Sequence, residues 1–288
     1  MRLDLNPRQR VREWVTTFVA VMAAIALVGA CGALLWDIVG RGAVEISWDF
    51  LTGTPESAGR RGGIAPMLVA TAAIVGVGLA AALPVSLGTA WVLSQSAREQ
   101  RARGRLTNWI SRSLDTLAAV PSIVFGLFGA VFFCDVCGLG FSIISGGLTL
   151  ACMILPVLIR TTEIGLRAVS EAQHQGAAAL ALGKTTTLFA IILPAAAPAV
   201  VAGVIIGLGR SVAETAALIF TSGYVDRMPT SLFDSGRALS VHVYDLAMNV
   251  PGGEARAYAS ALVLVLVTLV ASQVTHALLA EFERRRYT

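Results

Sequence analysis

The stretch FSIISGGLTLACMILPVLIRTTE, residues 141–163, joins a membrane-length apolar run to a charged end. It is uncharged over 141–159, and Arg160 and Glu163 follow directly. A second run is uncharged over 185–209 and 215–225 and is interrupted by Arg210 and Glu214. A charge at the centre of a membrane helix costs about 2.5–3.5 kcal/mol, so such residues usually face a polar interior and mark a pathway. Spacings of three and four put each Glu on the helix face of its Arg, which predicts two pairs along an anion route.

The composition around these runs is that of an integral membrane protein. The 288 residues are 56% hydrophobic and 14% charged, with a mean hydropathy of +0.73, whereas soluble domains carry about 25% charged residues. The isoelectric point near 9.2 would also suit a nucleic-acid partner. However, the basic residues form short blocks between apolar runs, without aromatic interleaving, so we expect no nucleic acid to bind.

The apolar runs predict an all-α bundle with six transmembrane helices. A span needs about 20 predominantly apolar residues. Six segments meet this requirement: 15–38, 64–93, 114–133, 141–159, 191–221 and 260–279. Pro84, Pro121 and Pro156 are among the prolines that lie within these predicted spans. The first run is too long for a signal-peptide core and has no clear cleavage site.

Basic residues predict the orientation. Fourteen lie on the side that holds both termini: Arg2, Arg8, Arg10, Arg12, Arg98, Arg101, Arg103, Arg105, Arg112, Arg167, Lys184, Arg284, Arg285 and Arg286. The other side holds six: Arg41, Arg60, Arg61, Arg227, Arg237 and Arg256. Because cytoplasmic loops carry the excess of Lys and Arg, we expect both termini in the cytoplasm of a multi-pass protein.

Few of the remaining polar residues suggest a site. The three histidines are scattered without metal-ligand spacing, so no metal site is predicted. Cys134 and Cys137 form a lone CxxC near a helix end, where packing is the favoured role and a local disulfide remains open. Asp115 lies near a span end and is interpreted as a solvated or capping residue.

The segment 161–190 is too polar at its start to cross a membrane and too helix-prone to be a linker. It predicts a short amphipathic helix on the cytoplasmic surface that docks a soluble partner. Within it, Gly183-Lys184-Thr185 imitates part of a P-loop. The motif also needs a Gly where Ala178 stands, and a preceding strand. We therefore expect that this chain does not bind ATP itself.

The same segment resembles the EAA loop of ABC-importer permeases, through the sequence AAALALG (177–183) followed by Leu193-Pro194. In that family the loop is a coupling helix that fits a groove on the ATPase subunit. The resemblance assigns this role to Ala177, Ala178, Ala179, Gly183 and Lys184. Ala177 stands where the family has its signature glutamate, which puts one polar contact to the ATPase in doubt.

Three further motifs resemble the A-type permease family (PstA) of bacterial high-affinity phosphate ABC transporters. They are PVLIRTTE (156–163), GRSVAETAALIFTSG (209–223) and LAAVPSIVFGLF (117–128). The resemblance extends from about Gly62 to Leu279. It implies that Arg160, Glu163 and Arg210 take part in phosphate translocation, and that Glu214 belongs to the same motif.

The resemblance also implies an architecture and an assembly. The expected fold is an ABC type-1 permease bundle in one domain, 1–288, with a core at about 62–280 preceded by a cytoplasmic segment and first helix at 1–40. The expected partners in the bacterial inner membrane are a second permease (PstC type), two ATPase subunits (PstB type) that use ATP and Mg, and an external phosphate-binding protein (PstS type). This chain would be the pore subunit and not an enzyme.

Physical chemistry gives the predicted site a mechanism. Arginine never deprotonates and offers a planar fork of donors that binds phosphate bidentately. Glu163 and Glu214 could neutralise and orient the arginines when no anion is bound. The alternative is that the pairs are structural salt bridges, or that Arg160 reaches the headgroups.

Three other functions remain open from the residues alone. A permease for sulfate or molybdate would share this topology and coupling loop. An intramembrane enzyme would need a nucleophile–base set, and no HExxH or convincing Ser–His arrangement is present in the spans. A structural or sensory membrane subunit would tolerate loss of both arginines in transport assays.

Overall fold

The computed structural model describes residues 7–98 and 104–287. Within them the chain is almost entirely helical, with one two-stranded hairpin, β1 (Pro55–Glu56) paired antiparallel with β2 (Arg61–Gly62). The helices are α1 (Pro7–Gly42), α2 (Trp48–Thr52), α3 (Ala65–Arg98), α4 (Arg105–Ala118), α5 (Ser122–Gly129), α6 (Ile143–Ala168), α7 (Glu171–Ala179), α8 (Lys184–Thr186), α9 (Leu193–Val212), α10 (Ala216–Ile219), α11 (Leu239–Met248) and α12 (Glu254–Tyr287). Arg2, Arg101 and Arg103 of the predicted basic side lie outside the described residues.

Five described helices are long and apolar enough to cross a membrane, and a bent pair adds a sixth span if it is counted as one. The five overlap the predicted spans that begin at 15, 64, 141, 191 and 260, and they contain those at 15 and 260 in full. The prediction of an all-α membrane bundle is therefore confirmed. No strand in the described part of the chain is longer than two residues.

Helix α6 is the centre of the bundle. In its most apolar window 67% of the residues are buried, against 33% for α3 and none for α1. It packs against α3 on one side and α9 on another. Glycines permit both contacts, because a Cβ at Gly147 would meet Val77 Cγ1 at 2.5 Å and a Cβ at Gly165 would meet Ala199 Cβ at 2.3 Å. Such close backbone approach by small residues is typical of membrane helix pairs.

The prediction of one continuous span over 114–133 is wrong. The chain bends by 104° between α4 and the helix that runs from Ser122 to Val136, whose last part is a π-helix. Pro121 lies at the bend and not inside a helix, since a proline disfavours helical geometry at the preceding residue. Apolar positions on α4 alternate with polar ones at helical spacing, so this helix has one apolar and one polar face.

The predicted fifth span over 191–221 is also interrupted. A π-helix at Thr187–Ile192 leads into α9, which ends at Val212. The helix is interrupted at residues 213–215. The short helix α10 follows and packs on α5 and α6. The Ser240 hydroxyl donates a hydrogen bond of 2.5 Å to the Glu214 carbonyl, which satisfies one backbone group at the break.

The segments 40–63 and 222–259, which connect predicted spans, contain compact structure. Phe50 of α2 is buried with Ile64, Met67, Leu239 and Val263, which joins the first loop to α3, α11 and α12. His242 of α11 is 1% exposed and packs under Gly59, which has a φ of +85°. Cys134 and Cys137 are unpaired.

We expect Gly147→Ala to lower the thermal stability of the full-length chain in detergent. An added Cβ would also lie 2.6 Å from Val77 Cβ and 3.0 Å from the Ile74 carbonyl, so α3 and α6 must separate. Overpacking of this kind costs about 1–3 kcal/mol. Gly76→Ala is the matched control, because a Cβ at Gly76 meets nothing within 4 Å. Equal melting temperatures for the two variants would contradict close α3–α6 packing.

We expect acid to destabilise the region around α11 through His242. Burial, and then the nearby Arg237, lower the pKa of His242 from 6.5 to about 4, although Asp245 and Asp226 oppose the shift. The unfolded state therefore binds more protons between these values, and stability falls as the pH drops from about 6.5 toward 4, by up to roughly 3 kcal/mol. The melting temperature of His242→Gln should decline less over this range. Equal declines of the melting temperature in His242→Gln and in the unmodified protein would show that His242 does not cause the acid sensitivity.

Candidate functional site

Arg160 is the centre of a polar cluster between α6 and α4. Its Nη1 donates to Glu163 Oε2 at 2.9 Å. Its Nη2 donates to Asp115 Oδ1 at 2.6 Å, to Ser111 Oγ at 2.8 Å and to the Ser111 carbonyl at 2.9 Å. The guanidinium thus joins one carboxylate of its own helix to one carboxylate of another helix.

Glu163 is the buried member of this cluster, with a side chain that is 4% exposed. Besides Arg160, it accepts a hydrogen bond of 2.5 Å from Nη2 of Arg167. The three residues lie on one face of α6 because they are three and four positions apart. A carboxylate away from water must be paired, since loss of one partner of a buried pair costs about 3–5 kcal/mol.

Helix α4 brings Ser111 and Asp115 to Arg160. Its apolar face places Leu114, which is 6% exposed, against Ile159 and Leu93, with Ile110 beside it. Ser111 and Asp115 are four residues apart, and so they share a neighbouring face that points at α6. The interpretation of Asp115 as a solvated residue is incomplete, because its exposed carboxylate also pairs with Arg160.

Sequence reasoning missed Ser111 and Asp115, and it counted Arg167 only as a topology residue. A signal was present in the helical spacing of Ile110, Leu114 and Leu117. This spacing indicates an amphipathic helix that ends at Pro121, and it places Asp115 in the last turn.

Arg210 has a different environment. It is exposed, and its guanidinium makes no hydrogen bond or ion pair with residues 7–98 or 104–287. It continues a stripe of exposed residues at helical spacing on α9, formed by Pro198, Ala202 and Ile206. Because the other members of the stripe are apolar and Arg210 is charged, this face suits contact with a polar group or a protein partner better than contact with lipid tails.

The predicted Arg210–Glu214 pair is not formed. Helix α9 ends at Val212, so a spacing of four no longer brings the two side chains to one face. The Glu214 side chain instead accepts a hydrogen bond of 3.1 Å from the Ala217 amide at the start of α10. Its observed contact is structural, because it satisfies a backbone donor that the short helix leaves open.

The two arginines lie at different levels of the bundle. Helices α6 and α9 are antiparallel: Gly203 packs on Thr161, and Gly207 packs on Leu158 and Ile154. Arg160 is therefore near the level of Gly203. Arg210 lies about 10 Å further along the axis, at a rise of about 1.5 Å per residue, toward the amino-terminal half of α6.

The predicted amphipathic helix in 161–190 is α7, and the chain reverses immediately after it. The Leu182 amide donates to the Ala177 carbonyl at 3.1 Å, and the Ala181 amide donates to the Ala178 carbonyl at 2.9 Å. These bonds form a Schellman motif, whose left-handed position usually holds glycine. Here Ala181 occupies that position with a φ of +52°.

The residues of the predicted coupling segment fall into two groups. Ala178, Ala179, Gly183 and Lys184 are exposed. Ala177 is 3% exposed and lines a hollow of about 150 Å³ together with Trp91, His174 and Thr187. A side chain at position 177 therefore faces α3 and the start of the next helix, not an external partner.

Comparisons with known proteins identify a family and relatives that match most of this chain. Residues 82–286 match the family described as binding-protein-dependent transport system inner membrane component. The chain is 32% identical to the phosphate transport system permease protein PstA 1 of Mycobacterium tuberculosis (strain ATCC 25618 / H37Rv), over 91% of this chain and 86% of that protein. It is 29% identical to the probable ABC transporter permease protein YqgI of Bacillus subtilis (strain 168), over 87% of each chain.

Two more distant matches were found. The phosphate transport system permease protein PstC 1 of Mycobacterium bovis is 30% identical over 59% of this chain and 57% of that protein. The crystal structure of an amino acid ABC transporter with histidines is 16% identical, with a TM-score of 0.46, and covers 77% of this chain and 92% of that one.

We expect Ala181→Gly to stabilise the end of α7. A left-handed non-glycine residue costs about 1 kcal/mol, which corresponds to about a fivefold change in local opening. Amide exchange over 171–182, followed by mass spectrometry of the full-length chain, should slow by that factor. Gly183→Ala is the control, because Gly183 has a φ of −64° and its Cβ would meet nothing within 4 Å. Slower amide exchange in Gly183→Ala, or no slowing of exchange in Ala181→Gly, would contradict the Schellman motif.

Proposed function

This chain belongs to the family of binding-protein-dependent transport system inner membrane components, and we propose that it is the A-type permease subunit of an ATP-driven importer of inorganic phosphate. The observation that carries the proposal is the pair of arginines, Arg160 and Arg210, on consecutive spans of the bundle. The relatives named PstA support phosphate as the substrate.

The arginines supply the chemistry that an oxyanion needs. A phosphate that leaves water must exchange its hydration shell for donors, and guanidinium groups supply two parallel N–H bonds each. The Arg210 guanidinium is available for this purpose in the described chain. Arg160 is already satisfied by its carboxylate and serine partners, so it binds an anion only if one partner gives way.

Orientation gives the two arginines an order. Basic residues concentrate at the end of the bundle that holds α4 and α7, so we assign that end to the cytoplasm. Helix α9 then runs outward, and Arg210 lies nearer the external side than Arg160. In this arrangement an imported phosphate meets Arg210 first and passes about 10 Å further to the level of Arg160.

The exposed part of α7 is the proposed contact with the ATPase. Ala178, Ala179 and Leu180 form a small exposed apolar surface, on which Leu180 is 73% exposed. Surfaces of this kind on an amphipathic helix favour insertion into a groove of a partner. Since α7 connects α6 with α9 along the chain, a displacement of α7 would act on the helices that carry both arginines.

The proposed assembly includes a subunit that completes the site around Arg210. Within residues 7–98 and 104–287, Arg210 is a cation without a partner and lies on the exposed stripe of α9. A second, PstC-type permease would cover this stripe and complete the site from its own side. Two PstB-type ATPase subunits would bind and hydrolyse ATP with Mg, and a PstS-type external protein would deliver phosphate. In this scheme the chain lies in the bacterial inner membrane with both termini in the cytoplasm.

The test is phosphate uptake by the complete transporter in proteoliposomes at saturating external binding protein. We expect Arg210→Gln to reduce uptake by about tenfold or more, the usual range for loss of a charge-assisted hydrogen bond. Arg227→Gln is the control, because Arg227 is also exposed and lies in a loop outside the spans. Unchanged uptake in Arg210→Gln would refute the pathway, and the absence of phosphate-stimulated ATP hydrolysis in the unmodified transporter would refute the importer.

A further inference from the structure

The Arg160 guanidinium already holds acceptors of the kind that a phosphate would supply. The Asp115 oxygen lies 2.6 Å from Nη2 and the Ser111 hydroxyl lies 2.8 Å from it. A carboxylate oxygen and a phosphate oxygen are equivalent acceptors for a guanidinium. Asp115 therefore occupies the edge of Arg160 that a bound anion would use.

Helix α4 is held to the bundle by few contacts. Among the α4 side chains that the structure describes, Leu114 is the buried one. A hydrogen bond of 3.4 Å links the Thr107 hydroxyl to the Ser96 hydroxyl. Trp109 is 74% exposed and Leu117 is 42% exposed. An apolar groove of about 430 Å³ separates the α4–α5 bend from α6. The bonds from Arg160 to Ser111 and Asp115 are thus a large part of the attachment of α4.

We propose that Asp115 is a resident competing anion that holds Arg160 when no phosphate is bound, and that phosphate displaces it and frees α4 from α6. This inference rests on the proposed function. It makes Asp115 and Ser111 positioning residues for translocation, and it makes α4 an element whose attachment reports the occupancy of Arg160.

Exposure identifies Asp115, and not Glu163, as the partner that leaves. The Asp115 side chain is 67% exposed, so it regains water as soon as it moves away. Glu163 is 4% exposed and held by two arginines. An exposed pair contributes little to stability, whereas breaking a buried pair leaves an uncompensated charge away from water at a much larger cost. An incoming anion can compete with the first and not with the second.

The displacement and return of Asp115 also explain how phosphate is released from Arg160. With Asp115 in place, Arg160 and Arg167 are balanced by Asp115 and Glu163, and the formal charge of the cluster is zero. With Asp115 displaced the cluster carries one positive charge and attracts the anion. The return of Asp115 restores neutrality and expels the phosphate, so that binding stays weak enough for transport.

The first experiment measures phosphate binding by calorimetry to the purified permease–ATPase complex without the external binding protein. Asp115→Asn keeps the shape of the side chain and removes its charge. We expect phosphate to bind about three- to fivefold more tightly, in proportion to the loss of an exposed ion pair, and maximal uptake to fall because release is slower. Asp115→Glu should return both quantities toward the unmodified values.

Asp135→Asn is the matched control, because Asp135 is exposed near the far end of the helix that follows the bend at Pro121, and its substitution should leave binding unchanged. A merely structural role of Asp115 predicts a different result, in which uptake falls without tighter binding. Unchanged or weaker phosphate binding by Asp115→Asn overturns the proposal.

The second experiment follows amide exchange of residues 105–118 in the same complex. Phosphate should accelerate exchange in the unmodified protein, because α4 loses its contacts with Arg160. In Asp115→Asn exchange should already be faster without phosphate, because the charged partner is lost and the bonds to Ser111 remain, and phosphate should accelerate it less. No response to phosphate in the unmodified protein overturns the displacement of α4.

Arg160→Gln separates this inference from the function on which it rests. If Arg160→Gln abolishes uptake while Asp115→Asn behaves like the unmodified transporter, the competing-anion role is wrong and the pathway stands. If Arg160→Gln transports and binds phosphate normally, both the role of Arg160 in the pathway and the competition fail together.

Discussion

The cost of holding a carboxylate away from water governs the candidate site. Glu163 lies in the most buried helix of the bundle, and it needs cationic partners that reach it without solvent. Arg160 and Arg167 supply them from the same face of α6. Once one edge of Arg160 is committed to Glu163, its other edge faces α4, and the acceptors on α4 complete its coordination. The position of α4, the neutral charge of the cluster and the scope for exchange all derive from this one buried group.

In the proposed anion route, Arg160 is a site whose hydrogen bonds are already satisfied and Arg210 is an open site. Arg160 has four short hydrogen bonds, so its affinity for an anion is reduced by what the anion must displace. Arg210 has no such competitor in the described chain, and its exposed stripe on α9 leaves the surrounding pocket to be supplied by another subunit. A strong cation without a local counterion would bind phosphate too tightly for release. In the proposed assembly, the partner permease would lower the affinity of Arg210 for phosphate, in the way proposed for Asp115 at Arg160.

Hydropathy predicted the spans well where a helix is continuous and failed where a helix is interrupted. The spans that begin at 15, 64, 141 and 260 match long helices because apolar length is a sum over local residues. The spans over 114–133 and 191–221 were drawn through the breaks near Pro121 and Glu214, since a window average does not register one proline or one carboxylate that caps a new helix. Attention to the amphipathic spacing of α4 would have corrected the first of these errors.

The sequence by itself determined the membrane class, the four uninterrupted spans and the pairing of Arg160 with Glu163, because all three depend on residues within a few positions of one another. Only the tertiary structure decided that Asp115 and Ser111 meet Arg160 across 45 and 49 residues. It likewise decided that Ala177 faces the interior and that Arg210 stands apart from Glu214. These outcomes depend on which helix faces pack together and on where a helix ends. The spacing of residues along the sequence does not specify either of them.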